Sequence, residues 1–147
     1  MVNTIAIIKE VSKLNSFLIK EFLDNAGESL NSFRYYKTRP IEIIKNHLTT
    51  AVLIDVDKVV GYGHLDNENG SVWLGIAICE SQTGKGLGKL LMEFLVNSAD
   101  MLKVEFVRLT VDKNNEKAIK LYFDFGFSYV KDISLNVQMM ERKRNTV

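Results

Sequence analysis

The sequence is poor in several things that would announce a function. Its single cysteine, Cys79, leaves no partner for an intramolecular disulfide and no thiolate cluster for zinc, which fits a reducing, cytoplasmic setting. The two histidines, His47 and His64, are far apart and belong to no spaced ligand group, so no metal is expected. Lys plus Arg (19) and Asp plus Glu (18) nearly cancel to +1, so no broad field favours nucleic acid or a membrane surface. No run approaches the ~20 apolar residues of a membrane-spanning helix, and the start, Met1-Val2-Asn3-Thr4-Ile5, lacks the basic and apolar regions of a secretory signal. One proline, no biased segment and no internal repeat leave nothing to mark a linker. A single domain over residues 1–147 is therefore expected.

Periodicity supplies the elements. Thr4 to Val11 reads as a strand, followed by an amphipathic helix from Ser12 with Leu14, Phe17, Leu18 and Phe22 on one stripe and Gly27 as its stop. A polar, aromatic loop over Ser32 to Arg39 precedes Pro40, which is suited to open a second helix with Ile41, Ile44 and Leu48 inward. Three antiparallel strands follow, at Ala51–Val56, Val59–Asp66 and Ser71–Ile78, joined by turns at Asp57-Lys58 and Asn69-Gly70. Leu87, Leu90, Leu91, Phe94 and Leu95 mark the next helix, Phe106 to Val111 a strand, and Asn115 to Phe125 a helix stopped by Gly126. Strands at Phe127–Val130 and Ser134–Met140 complete the pattern, and residues 141–147 are expected to fray. Meandering strands that later alternate with helices predict an α+β (α/β three-layer) fold, a mixed sheet with helices on its faces.

The chemistry concentrates at Thr83-Gly84-Lys85-Gly86-Leu87-Gly88, where a strand runs into a helix through glycines. Such a turn exposes main-chain N–H groups and the positive end of the helix, a cradle for phosphate oxygens, with Lys85 and Lys89 adding charge. A tight turn without a ligand would look the same. The P-loop pattern fails, because Thr83 stands where its first Gly belongs and Leu90 where its hydroxyl belongs. The dinucleotide fingerprint fails because Lys89 replaces the third Gly.

Gly86 and Gly88 instead match the turn of the GNAT superfamily of acyl-CoA-dependent N-acyltransferases, which this segment resembles; Thr83 departs from the family's Gln or Arg at the first position. A second match is Asn115-Glu116-Lys117-Ala118-Ile119-Lys120-Leu121-Tyr122-Phe123-Asp124-Phe125-Gly126-Phe127, similar to the family's Asn-x-x-Ala-x-x-x-Tyr-x-x-x-Gly-Phe. The resemblance covers Val59 to Val130 and implies a mostly antiparallel central sheet, acetyl-CoA as acyl donor and an N-acetyltransferase acting by direct attack of an amine. It implies main-chain contacts from Ile76, Ala77 and Ile78 to the pantetheine arm, a diphosphate at Gly84 to Lys89, Asn115 on the cofactor, and Tyr122 as proton donor to the departing sulfur. Asn115, Ala118 and Tyr122 share one helix stripe, so the two polar groups can meet one ligand. As ordinary structure they would be a helix N-cap and a core aromatic.

Many relatives carry a Glu base on the strand at Val72 to Ile78, where this chain has no ionisable residue. His64 has the pKa best suited to neutral operation, with Asp66, on the same strand face, and Glu80 as weaker candidates. A structural or substrate-binding histidine is the alternative. Cys79 has no local activating partner and reads as a packing thiol. Arg34, Tyr35 and Arg39 fall where the family builds its acceptor rim and would grip an anionic amine of the amino acid or amino sugar class. A protein N-terminus or lysine as acceptor, or a non-catalytic acyl-CoA sensor, stays open at this level, as does pairing into a homodimer through the final strands.

Overall fold

In the computed structural model, which describes residues 6–145, one seven-stranded sheet runs in the order β1-β2-β3-β4-β5-β7-β6. Its strands are β1 (Ala6–Glu10), β2 (His47–Asp55), β3 (Lys58–Glu68), β4 (Ser71–Ile78), β5 (Phe106–Asp112), β6 (Ser128–Asp132) and β7 (Val137–Lys143). All neighbours are antiparallel except β4 and β5. Thr4 and Ile5 of the expected first strand lie outside the described residues. Both predicted hairpins form. Asn69 and Gly70 take positive φ (52° and 84°) between paired Glu68 and Ser71, as a two-residue turn of mirror-image type requires. The other turn sits one residue earlier than expected, at Val56 and Asp57, because Asp55 pairs with Lys58.

Helix α1 (Phe17–Asn25) covers one face of the sheet, where Leu18, Ile19 and Phe22 join Val52, Val60 and Tyr62. The expected stripe is displaced. Leu14 and Phe17 are 93% and 63% exposed, since Ser12 and Asn15 cap a separate 3-10 turn over Lys13–Asn15 that interrupts the helical phase. Helices α2 (Leu87–Met101) and α3 (Glu116–Asp124) belong to the opposite face, with Leu91, Leu95 and Tyr122 in a core shared with Leu65, Leu74 and Leu109. These helices make the other half of the three-layer arrangement.

Two expectations are corrected. Pro40 opens only a 3-10 run, Ile41–Asn46, and the chain then extends at His47 into β2, where buried, β-branched Thr49 and Thr50 suit a pleated strand better than a helix. The tail does not fray at 141: β7 continues to Lys143, which pairs with Phe106, and buried Arg142 holds Asp100 through two bonds of 2.9 and 3.0 Å.

Candidate active site

β4 and β5 pair only at Val72–Val107 and Trp73–Arg108 and then diverge. From Leu74 to Ile78 the edge of β4 that faces β5 has no ladder partner among the described residues. The divergence opens a cleft of about 620 Å³, lined by Leu74 to Ile78 of β4, by Thr110 to Asp112 of β5 and by Ala118, Leu121 and Tyr122 of α3. Ile76, Ala77 and Ile78 line the cleft along this edge, and the Ile78 carbonyl already accepts the Ser29 hydroxyl at 2.6 Å. An extended amide-bearing ligand entering here would add to the sheet as a strand does.

At the C-terminal end of β4 the chain turns through Gly84 (φ 81°) and Gly86 (φ 79°), neither of which has any atom within 4 Å of where a Cβ would stand. Gly86 precedes α2 in left-handed conformation and its carbonyl accepts the first helical bond, from Leu90 N–H at 3.2 Å. The amides of Leu87, Gly88 and Lys89 in the first turn precede that bond and have no intrahelical partner. Thr83 and Gly88 border the cleft, and Gly88 lies under Leu121 and Ile78, 3.4 and 3.8 Å from its Cβ direction. The side chain of Leu87 is core and 7% exposed, so only its amide faces outward chemistry. Lys85 donates to Gln82 Oε1 at 2.9 Å, and Lys89 is exposed. Two open positive-φ glycines, free amides and a helix N-terminus next to an unpaired strand edge fit a diphosphate followed by a pantetheine arm.

Asn115 caps α3, accepting from Ala118 N–H at 3.3 Å, and also lines the cleft, which leaves its amide nitrogen free to donate. Tyr122 is 9% exposed, packs edge-on against Phe127 and lines the same cleft. Burial pushes its phenol up to about 12, so it keeps its proton across the neutral and alkaline range. Among the described residues Asp55 Oδ1 is the buried side-chain polar atom without a partner, so the unbonded Tyr122 hydroxyl retains access to the cleft.

On the other side of β4 stands a cluster of rings. His64 pairs with Gly75 across the β3–β4 ladder, and its imidazole fills the space a side chain on that glycine would need; a Cβ on Gly75 would stand 2.5 Å from Nε2. Nδ1 is bonded to the Tyr62 hydroxyl at 2.7 Å, while Nε2 has no partner among the described residues and, not being sealed off, opens to the cleft that His64 lines. His64 is 2% exposed, and burial first, then the nearby His47 and Arg39, hold its pKa well below the usual value. It is therefore a neutral imidazole at neutral pH.

Two residues along β3, Asp66 is 4% exposed and accepts the Tyr35 hydroxyl at Oδ2 (2.8 Å). With its one proton on Asp66, Tyr35 must accept from His47 Nε2–H (2.9 Å), which leaves His47 Nδ1 to accept from Thr50 (2.8 Å). Burial lowers His47 to about 4, consistent with that neutral tautomer. Asp66 Oδ1 has no bond among the described residues and is open to the cleft, which Glu68 and Trp73 also line.

The expected rim residues are all at the cleft but are differently employed. Arg34 is held by Asp112 through bonds of 2.8 and 3.2 Å, so its charge is matched within the chain. Arg39 lies 4.3 Å over the Tyr35 ring and donates to the Tyr35 carbonyl at 3.1 Å. Tyr35 serves Asp66 and His47. Gly75, Tyr62 and Tyr36 escaped the sequence reading, though the two-residue spacing of Tyr62 and His64 already placed them on one strand face. Glu80 accepts from the Glu28 amide at 2.8 Å and caps that loop, and buried Cys79 packs in the core under α1. Among the described residues no group of His, Cys, Asp and Glu is arranged to hold a metal, and no helix is long and apolar enough to cross a membrane.

The model of the Acetyltransferase (GNAT) family matches residues 15–127. The spermine/spermidine N(1)-acetyltransferase of Bacillus subtilis is 40% identical over 73 residues, 48% of this chain and 48% of that protein. GCN5-related N-acetyltransferase 6, chloroplastic, of Arabidopsis thaliana is 28% identical over 127 residues, 86% of this chain and 41% of that protein. The matched region thus spans about half the length of these curated relatives or less. Among solved structures, yncA from Salmonella typhimurium with its cofactor acetyl-CoA superposes with a TM-score of 0.76 at 16% identity, over 99% of this chain and 96% of that one. The ribosomal-protein-S18-alanine N-acetyltransferase from Escherichia coli gives 0.73 at 17% identity, over 97% and 96%. At such identities these likenesses speak for the fold.

Proposed function

The chain belongs to the GNAT acetyltransferase family, and from that premise we propose that it transfers the acetyl group of acetyl-CoA to the primary amine of a small molecule by direct attack. The observation that carries this reading is the cleft itself: an unpaired β4 edge leading from the glycine turn to a buried, protonated tyrosine. Acetyl-CoA, when bound, supplies an activated acyl thioester and leaves as the free thiol. The amides of Gly86 to Lys89 would hold its diphosphate, the β4 edge its pantetheine, and Asn115 Nδ2 would donate to it. Tyr122 holds at Oη the proton that the departing sulfur needs.

An aliphatic amine has a pKa near ~10.4 and arrives as ammonium, so a base must strip it before attack. His64 Nε2, neutral and open to the cleft, is placed to accept that proton. Asp66 Oδ1 sits on the same strand face and favours a cation. Because Asp112 satisfies Arg34, the anionic acceptor suggested by the rim arginines is less well served than one carrying a second positive group, held by Asp66, Glu68 and the Trp73 face. The Bacillus subtilis relative, a spermine/spermidine N(1)-acetyltransferase by name, points in the same direction. Asp66→Asn is accordingly expected to raise KM for a diamine by about 10-fold, the worth of one charged hydrogen bond, with KM for acetyl-CoA unchanged.

The experiment is thiol release from acetyl-CoA against monoamines, diamines, amino acids, amino sugars and a peptide N-terminus. Turnover fastest with diamines supports the reading. Binding of CoA without turnover on any amine favours a sensor, and turnover on the peptide alone favours a protein acetyltransferase.

A further inference from the structure

His64 raises a difficulty that its surroundings answer. Its ring is enclosed by Tyr62, Tyr35 and His47, with ring centroids 5.4, 4.3 and 4.6 Å away, and the residue is only 2% exposed. A proton taken from an ammonium cannot rest there as imidazolium without a large desolvation cost. Asp66, Arg39 and His47 offer no route away: none is hydrogen-bonded to the ring, and the Tyr35 proton is committed to Asp66. The one bond His64 makes among the described residues is Nδ1 to the Tyr62 hydroxyl, 2.7 Å, and that hydroxyl continues to the Tyr36 hydroxyl at 2.6 Å. Tyr62 is fully buried and wedged between Phe22 and Phe33, with centroids 5.7 and 5.5 Å away, so its hydroxyl has nowhere else to turn. Tyr36 is partly exposed on the loop between α1 and β2.

We propose that Tyr62 and Tyr36 form a two-hydroxyl wire that fixes the tautomer of His64 and carries off the proton lost by the acceptor amine. The inference rests on His64 being the base. In the ready state Nδ1–H donates to Tyr62, Tyr62 donates to Tyr36, and Nε2 keeps its lone pair for the cleft. When Nε2 gains the ammonium proton, Nδ1–H passes to the Tyr62 oxygen, the Tyr62 proton passes to Tyr36, and the Tyr36 proton leaves to solvent water. One proton enters and one departs, the imidazole is neutral before and after, and every hydrogen bond in the row has reversed its direction. The ready state returns when, after the products leave, Nε2–H gives its proton to water in the cleft and a proton from solvent passes back through Tyr36 and Tyr62 to Nδ1, so that one proton leaves the ring and one enters it. Tyr62 and Tyr36 touch neither substrate and act through His64.

The test uses the full chain without ligand, labelled with ¹⁵N and observed by long-range ¹H–¹⁵N correlation of the imidazoles. With two histidines in the sequence, His64→Gln identifies the His64 signals by their loss. At neutral pH the expected spectrum shows Nδ1 protonated and Nε2 bare. Tyr62→Phe keeps the ring and removes the acceptor, so the Nε2–H tautomer should gain; Tyr36→Phe should do the same from one bond further away, an effect that packing does not produce. In both variants kcat should fall about tenfold or more with KM for acetyl-CoA unchanged. A bare Nδ1 in the parent protein overturns the wire. So does a rate loss in His64→Gln when neither tyrosine variant moves tautomer or kcat, a result that leaves the base in place. An unchanged rate in His64→Gln overturns base and wire together.

Discussion

Tyr122→Phe is expected to lower kcat by about 10²-fold or more, the usual worth of a positioned general acid, while affinity for acetyl-CoA stays close to that of the parent. The ring is the part that packs, edge-on to Phe127 in the core shared with α2, and phenylalanine preserves it. The hydroxyl has no hydrogen-bond partner among the described residues, so its removal is expected to leave stability nearly unchanged. Because burial holds the phenol at about 12, the acid is loaded throughout the neutral range, and a fall in rate at neutral or mildly alkaline pH should not trace to Tyr122. Single-turnover thiol release checks this. A variant with unaltered chemistry would remove Tyr122 from the reaction.

Gly75→Ala should be as damaging by a different route. The added methyl would stand 2.5 Å from His64 Nε2 and 2.6 Å from Cε1, inside any tolerable contact. The imidazole is boxed in by Tyr35, Tyr62 and His47, so it cannot move aside without breaking the bond to Tyr62. We expect kcat to fall about 10²-fold, as for loss of the base, and the overpacking to cost about 1–3 kcal/mol. At ~2–4 °C per kcal/mol for a domain of this size, thermal denaturation should show a Tm lower by several degrees. CoA binding should survive, since the glycine turn and α3 are untouched. A Gly75→Ala enzyme of normal rate would place the base elsewhere.

The parts of this site that could be found in the sequence are those built from neighbouring residues. The turn at Gly84 to Gly88 and the stripe from Asn115 to Tyr122 are local, and their spacing carries over directly into a helix N-terminus and a helix face. β-Branched runs and the Asn69-Gly70 pair mark the strands. Long-range geometry was hidden. Arg34 and Asp112 are 78 residues apart, and only the folded sheet shows that the arginine is already matched. The separation of β4 from β5 after Trp73 has no signature in either strand. Gly75 looks like any strand glycine until the His64 ring is seen to occupy the place of its missing side chain. The 3-10 run after Pro40 and the extension of β7 to Lys143 were set by tertiary pairing, which overrode local propensity and the usual looseness of a chain end.

Acetyl-CoA is expected to be gripped at its diphosphate by the main-chain amides at the start of α2. Calorimetric titration of CoA into the folded parent protein and into Gly86→Val tests it most directly, because a branched side chain at φ 79° must rebuild the turn while the cleft walls stay in place. The expected result is saturable binding by the parent, weakened about tenfold or more in the variant, with both proteins equally folded by circular dichroism. No heat with the folded parent, or equal affinity in the two proteins, would contradict it.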